Sequence, residues 1–150
     1  MEYLIDTFFD ELELGARQET HGRTITEADI VNWCALTGDW FVLHSDKEYA
    51  AASMFRQRIA PGMMIVAFTG GLCVPPISDA IVANYGSDRI RYPHPTFIGD
   101  TVHAEVEVVD LRERDDETGI ATFRIDMISQ EGDTVMSSRL SVLLKRRRDD

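Results

Sequence analysis

The chain has 150 residues, 44% apolar and 27% charged: long enough to bury one hydrophobic core and too apolar for a disordered segment. Fifteen Lys and Arg against 26 Asp and Glu leave a formal net charge of −11, which argues against a sequence-blind nucleic-acid binder. The acidic start lacks the basic region of a secretory signal, and Cys34 and Cys73 show neither metal nor C-x-x-C spacing, so no disulfide and no zinc site are expected and a cytoplasmic location fits.

In chain order, residues from about Ala16 to Thr24 read as an edge strand. Thr26 caps the helix that follows, with Asp29 in the capping-box position. Ile30, Val31, Trp33, Cys34 and Leu36 supply its apolar face, and Gly38 stops it. Asp39 to His44 read as a loop, and Ser45 with Glu48 as a second capping box for a short helix ending near Phe55. From Ile59 to Ser78 no residue is charged, a length that can cross a bilayer. Pro61, Gly70, Gly71, Pro75 and Pro76 break that run, so it reads as a core helix from Pro61 to about Leu72 rather than a membrane span. Ile77 to Tyr85 reads as a further short helix, and Asp88 to Phe97 as a strand made edge-like or bulged by Pro93 and Pro95.

The second half alternates with period two. Val102, Ala104, Val106 and Val108 share one face, as do Ala121, Phe123, Ile125 and Met127, and Met136, Ser138, Leu140, Val142 and Leu144. Gly99-Asp100, Glu113 to Gly119, and Glu131-Gly132-Asp133 mark the turns. Antiparallel strands with one polar face must bury the other, and the uncharged helix is the available filler. The expected fold is α+β, a curved antiparallel sheet wrapped around a central helix, in one domain over residues 1–150. Open sheet edges invite a second copy, so a homodimer or higher homo-oligomer is expected. Met54, Met63, Met64 and Met127 read as core filler, and His21, His94 and His103 as surface residues without metal spacing.

Two segments carry chemistry. In Gly38-Asp39-Trp40-Phe41-Val42-Leu43-His44, a carboxylate and an imidazole stand between a helix end and a helix start, where the pair can hold one water and move protons. The alternative is structural: Asp39 makes a turn hydrogen bond and His44 packs behind the cap. In Ile59-Ala60-Pro61-Gly62-Met63, proline opens a helix whose next N–H groups, on Gly62 and Met63, lack partners, and glycine leaves room for a carbonyl to approach. Such donors can form an oxyanion hole; the alternative is a Pro-Gly loop boundary. No nucleophile elbow, P-loop or dinucleotide-binding glycine motif occurs.

The pattern Gly38-Asp39-x-x-x-x-His44-x-Asp46, then Ala50-Ala51, Phe55 and Ile59-Ala60-x-Gly62-Met63, resembles the MaoC-like dehydratases, the hot-dog-fold group of (R)-specific enoyl-CoA hydratases. Pro95-x-Phe97-x-Gly99-Asp100-Thr101 and the strands to Leu144 extend the likeness over roughly Ile25 to Lys145. The resemblance implies that Asp39 and His44 are the catalytic dyad, that Gly62 donates to the oxyanion with Ala60, Pro61 and Met63 around it, and that a dimer holds the acyl chain beside the central helix. Phe41-Val42 stand where the family commonly has Asn-Pro, and Pro61 where a histidine often precedes the glycine.

The resulting expectation is reversible hydration of a trans-2-enoyl thioester to an (R)-3-hydroxyacyl thioester. Either dyad residue can be base or acid. No metal or redox cofactor is expected, and coenzyme A or an acyl carrier enters only as part of the substrate. Two rivals stand beside it. One is a non-catalytic hot-dog subunit that binds an acyl chain for a partner; the other is a thioesterase using Asp46 or Glu48. Lys145-Arg146-Arg147-Arg148 could meet coenzyme A phosphates or simply guard a strand end.

Overall fold

The computed structural model describes residues 3–147. Its elements are β1 (Arg17–Glu19), β2 (Arg23–Thr24), α1 (Glu27–Thr37), α2 (Val42–Ser45), α3 (Lys47–Ala52), α4 (Gly62–Cys73), β3 (Ile81–Arg91), β4 (Thr101–Glu113), β5 (Thr118–Ser129) and β6 (Thr134–Lys145). One antiparallel sheet runs β1-β4-β5-β6-β3, with β2 also on β4. The alternating apolar residues meet across it: Val106 opposes Ile125, which opposes Ser138, and Val108 opposes Phe123, which opposes Leu140. A bulge after Val108 lets Leu111 still face Ala121, so the buried face survives the extra residue.

α4 packs on that face through Met64, Ile65, Leu72 and Cys73, all buried in the same core as Phe123, Ile125 and Met127. α1 is held over this assembly by Arg23, which bonds Asp29 at 2.9 Å while its guanidinium lies 3.6 Å from the centre of the Phe68 ring. The capping box forms as expected: Thr26 accepts from the Asp29 N–H and Asp29 accepts from the Thr26 N–H. Gly38 closes the helix in the left-handed region at φ 77°.

Several expectations need correction. Ile77 to Tyr85 is not helical: Ile81–Arg91 is one strand, and the strand placed over Asp88 to Phe97 ends before Tyr92. Hydrogen bonding to β6 decides this, because a short apolar run carries no period of its own. The edge strand is two pieces, broken at Thr20–Gly22, where the Thr20 hydroxyl takes the Ala104 N–H at 2.9 Å. Asp46, not Ser45, caps α3; its carboxylate accepts from the Glu48 and Tyr49 N–H groups, and that helix stops at Ala52. Ser45 instead ends α2 and donates to the Trp40 and Phe41 carbonyls. On α1 only Ile30 and Cys34 are fully buried, while Val31 and Leu36 face outward. Met54 and Met63 are likewise exposed, so of the four methionines read as core filler Met64 and Met127 are buried, joined by Met136.

Candidate active site

Gly38 turns the chain out of α1 and sets Asp39 at its mouth. The Asp39 N–H donates to the Thr37 hydroxyl, and its carboxylate takes the Phe41 N–H at 3.4 Å, a long contact that leaves oxygen lone pairs free. His44 lies inside α2 rather than in a loop, because Val42–Ser45 closes one helical turn. Ile59 secures that turn twice. Its N–H donates to the Leu43 carbonyl, and its own carbonyl sits 2.8 Å from His44 Nδ1. A carbonyl only accepts, so Nδ1 carries the proton and the neutral ring keeps its lone pair on Nε2. Phe41 stands edge-on to the imidazole at 5.8 Å between centroids and braces it from a second side.

At the start of α4, Ala60 donates its N–H to the Thr96 carbonyl at 2.7 Å, and Pro61 has none to give. The Met64 N–H returns to the Pro61 carbonyl. Among the described residues the Gly62 and Met63 N–H groups have no protein acceptor. Of the four positions assigned to the oxyanion, these two alone offer a donor. The bare position at 62 also has a neighbour within the protein. A Cβ there would come within 2.7 Å of the Tyr92 ring, so the missing side chain makes room for that tyrosine. The Tyr92 hydroxyl in turn lies 3.4 Å from the Met63 sulfur.

Asp39, His44, Ala60, Pro61, Gly62 and Met63 all line one cavity of about 450 Å³. Phe55, Ile65 and Val135 give it an apolar wall, and the Tyr92–Thr96 stretch closes another side. His94, expected at the surface, is exposed as expected and also stands on that wall. Pro93 and Pro95 flank it in the sequence, but no local pattern there marks its approach to α4. His103 does sit away from the cavity, between Glu19 and Glu105 on the sheet's outer face.

The other candidates are committed elsewhere. Asp46 is a helix cap, and Glu48 borders a separate surface depression with Lys47 and Arg56. Arg146 pairs with Asp10 and Glu113, and Arg147 with Glu11; Arg148 lies outside the described residues. Burial raises both thiols above their usual range, Cys73 to about 12; for Cys34 the nearby Asp39 carboxylate adds to the effect. Among the described residues no cluster of His, Cys, Asp and Glu is placed to hold a metal ion, and no helix is long and apolar enough to cross a membrane.

A family model described as MaoC like domain matches residues 11–127. The chain belongs to the MaoC-like family. This MaoC-like chain is 30% identical to the (R)-specific enoyl-CoA hydratase of Aeromonas caviae over 133 residues, 89% of its own length and 96% of the relative's. The solved structure of the A. caviae (R)-hydratase matches with a TM-score of 0.74, at 30% identity and over 88% of this chain and 96% of that one. Protein MaoC of Klebsiella aerogenes is 38% identical over 99 residues, 66% of this chain, which spans only 30% of that longer protein. A Mycobacterium tuberculosis protein described as a double hotdog fold matches with a TM-score of 0.83, at 23% identity, over 98% of this chain and 46% of its own. The fold is a hot-dog: an α+β arrangement of one antiparallel sheet around α4.

Proposed function

We propose that this MaoC-like chain hydrates trans-2-enoyl thioesters, and dehydrates the (R)-3-hydroxyacyl thioesters, with Asp39 and His44 holding the water. The observation that carries the reading is the arrangement around one cavity. A carboxylate, an imidazole with its lone pair on Nε2 and two unpaired N–H groups surround an apolar space. The named activity of the A. caviae relative supports the same chemistry and supplies the (R) configuration.

The water donates one hydrogen to His44 Nε2 and the other to the Asp39 carboxylate. As its oxygen bonds to C3, the C2–C3 π pair shifts toward the thioester carbonyl, and His44 takes the proton. Negative charge collects on the carbonyl oxygen, where the Gly62 and Met63 N–H groups stabilise it. The imidazolium, steadied by Asp39, then returns a proton to C2. One water is consumed, and both residues end as they began. The thioester itself acidifies C2, so the step needs no redox group.

A homodimer belongs to this reading. β3 has an open edge with Val82 and Tyr85 exposed, and Trp40, Phe41 and Met63 are exposed near the cavity. Ala67 and Gly70 leave a bare strip on α4 that a second copy can approach closely.

The test runs the reaction backwards. The protein is mixed with (R)- or (S)-3-hydroxybutyryl-CoA, and the conjugated thioester absorbance is followed. Growth of absorbance with the (R) compound alone supports the proposal; no growth with either sets it aside in favour of the acyl-binding subunit. The thioesterase reading is less favoured, since Asp46 is engaged as a helix cap and the exposed Glu48 does not line the cavity.

A further inference from the structure

His94 and Thr96 are polar side chains on the cavity wall that the hydration step does not use. His94 Nδ1 lies 3.1 Å from the Thr134 carbonyl, which only accepts, so in the neutral ring Nδ1 carries the proton and Nε2 is the free acceptor. Thr96 is 4% exposed, and among the described residues no protein group hydrogen-bonds its hydroxyl. No wholly buried side-chain polar atom there lacks a partner, so this hydroxyl keeps some open surface, and Thr96 lines the cavity. Pro93 and Pro95 flank the histidine and fix the backbone that presents the pair.

We propose that His94 and Thr96 form a subsite for a secondary amide, the one two methylenes from the sulfur in a pantetheine thioester. A trans amide points its N–H and C=O in opposite directions, so it needs an acceptor on one side and a donor on the other. His94 Nε2 supplies the acceptor and the Thr96 hydroxyl the donor, two residues apart on one wall. No Lys or Arg lines the cavity, so a permanently anionic group finds no matched charge there. The amide lies close enough to the sulfur that it stays in the cavity while the thioester carbonyl meets Gly62. This inference rests on the thioester reading above and extends it to the arm shared by coenzyme A and acyl carriers.

The test uses saturated ligands, which cannot be hydrated, so its outcome does not depend on catalysis. Butyryl-pantetheine is compared by titration with the analogue in which an ester oxygen replaces that amide N–H. The wild-type chain is expected to prefer the amide by about tenfold in Kd. His94→Leu should abolish the preference, His94→Gln should keep it because Oε1 replaces the acceptor, and Thr96→Val should weaken both ligands equally. Butyryl-CoA and a butyryl-loaded bacterial acyl carrier protein are titrated in parallel. The tighter of the two names the carrier, and each should weaken about tenfold in His94→Leu. Equal binding of amide and ester by wild type, or an unchanged preference in His94→Leu, overturns the subsite. A chain that shows the preference but forms no crotonyl-CoA from (R)-3-hydroxybutyryl-CoA keeps the subsite and loses the hydratase.

Discussion

A Cβ at Gly62 would meet the Tyr92 ring at 2.7 Å, yet Tyr92 is an exposed side chain that can swing aside. Alanine also suits a helix better than glycine by about 0.5–1 kcal/mol. Gly62→Ala should therefore leave the melting temperature within a few degrees of wild type. Hydration should still fall about tenfold or more, because the displaced ring enters the space over the free N–H groups. A double variant with Tyr92→Ala should recover part of the rate. At the dyad, Asp39→Asn and His44→Ala should each cost ~10²–10⁴ in rate with an unchanged circular-dichroism spectrum. The two thiols behave in the opposite way. With burial raising both, neither Cys34 nor Cys73 should be alkylated at pH 8 in the native protein, and both should be in urea, as read by mass spectrometry. The convergence of Asp39, His44 and Gly62 on one cavity was legible because their spacing belongs to short, ordered segments. Tyr92 and His94 were not, since their approach to α4 is set by tertiary placement that no local pattern encodes.

The sheet was readable wherever one face is buried, because alternation then records the burial directly; β4 from Val102 to Val108 and β5 from Ala121 to Ser129 follow it closely. β3 carries no such record. It lies at the edge and is exposed along most of its length, so its residues answer to pairing with β6 alone. The cap of α3 slipped by one residue for a related reason: Ser45 and Asp46 are both good caps, and the turn of α2 before them decides between them. One element-level contact is sharp enough to test. A Cβ on the buried Gly119 of β5 would lie 2.3 Å from the Phe9 ring, itself only 7% exposed and unable to retreat into solvent. Gly119→Ala should lose about 1–3 kcal/mol by denaturant titration, with a smaller loss when combined with Phe9→Leu.

Over the whole molecule the net charge is −11, and several of its cations stand in ion pairs with the abundant carboxylates. Arg58 hydrogen-bonds Glu27 and holds that carboxyl below its usual range. Burial pushes Asp29 up, but the Thr26 N–H and hydroxyl together with Arg23 hold it lower than normal. Carboxyls depressed on folding give stability that is complete above their ordinary values, 4.5 for Glu27 and 3.8 for Asp29, and is lost as pH falls through the lower folded values. Thermal stability should therefore drop as pH falls from about 4 toward 2, and Arg58→Gln should flatten part of that slope. Light scattering should give the mass of a dimer, and a charge placed on the β3 edge by Val82→Lys should shift it toward monomer. The most direct test of the central claim uses crotonyl-CoA, with conjugated-thioester absorbance and free thiol recorded together. Wild type should lose absorbance without releasing thiol, and His44→Ala should do so at least ~10² more slowly; release of thiol, or a wild-type trace that stays flat, contradicts it.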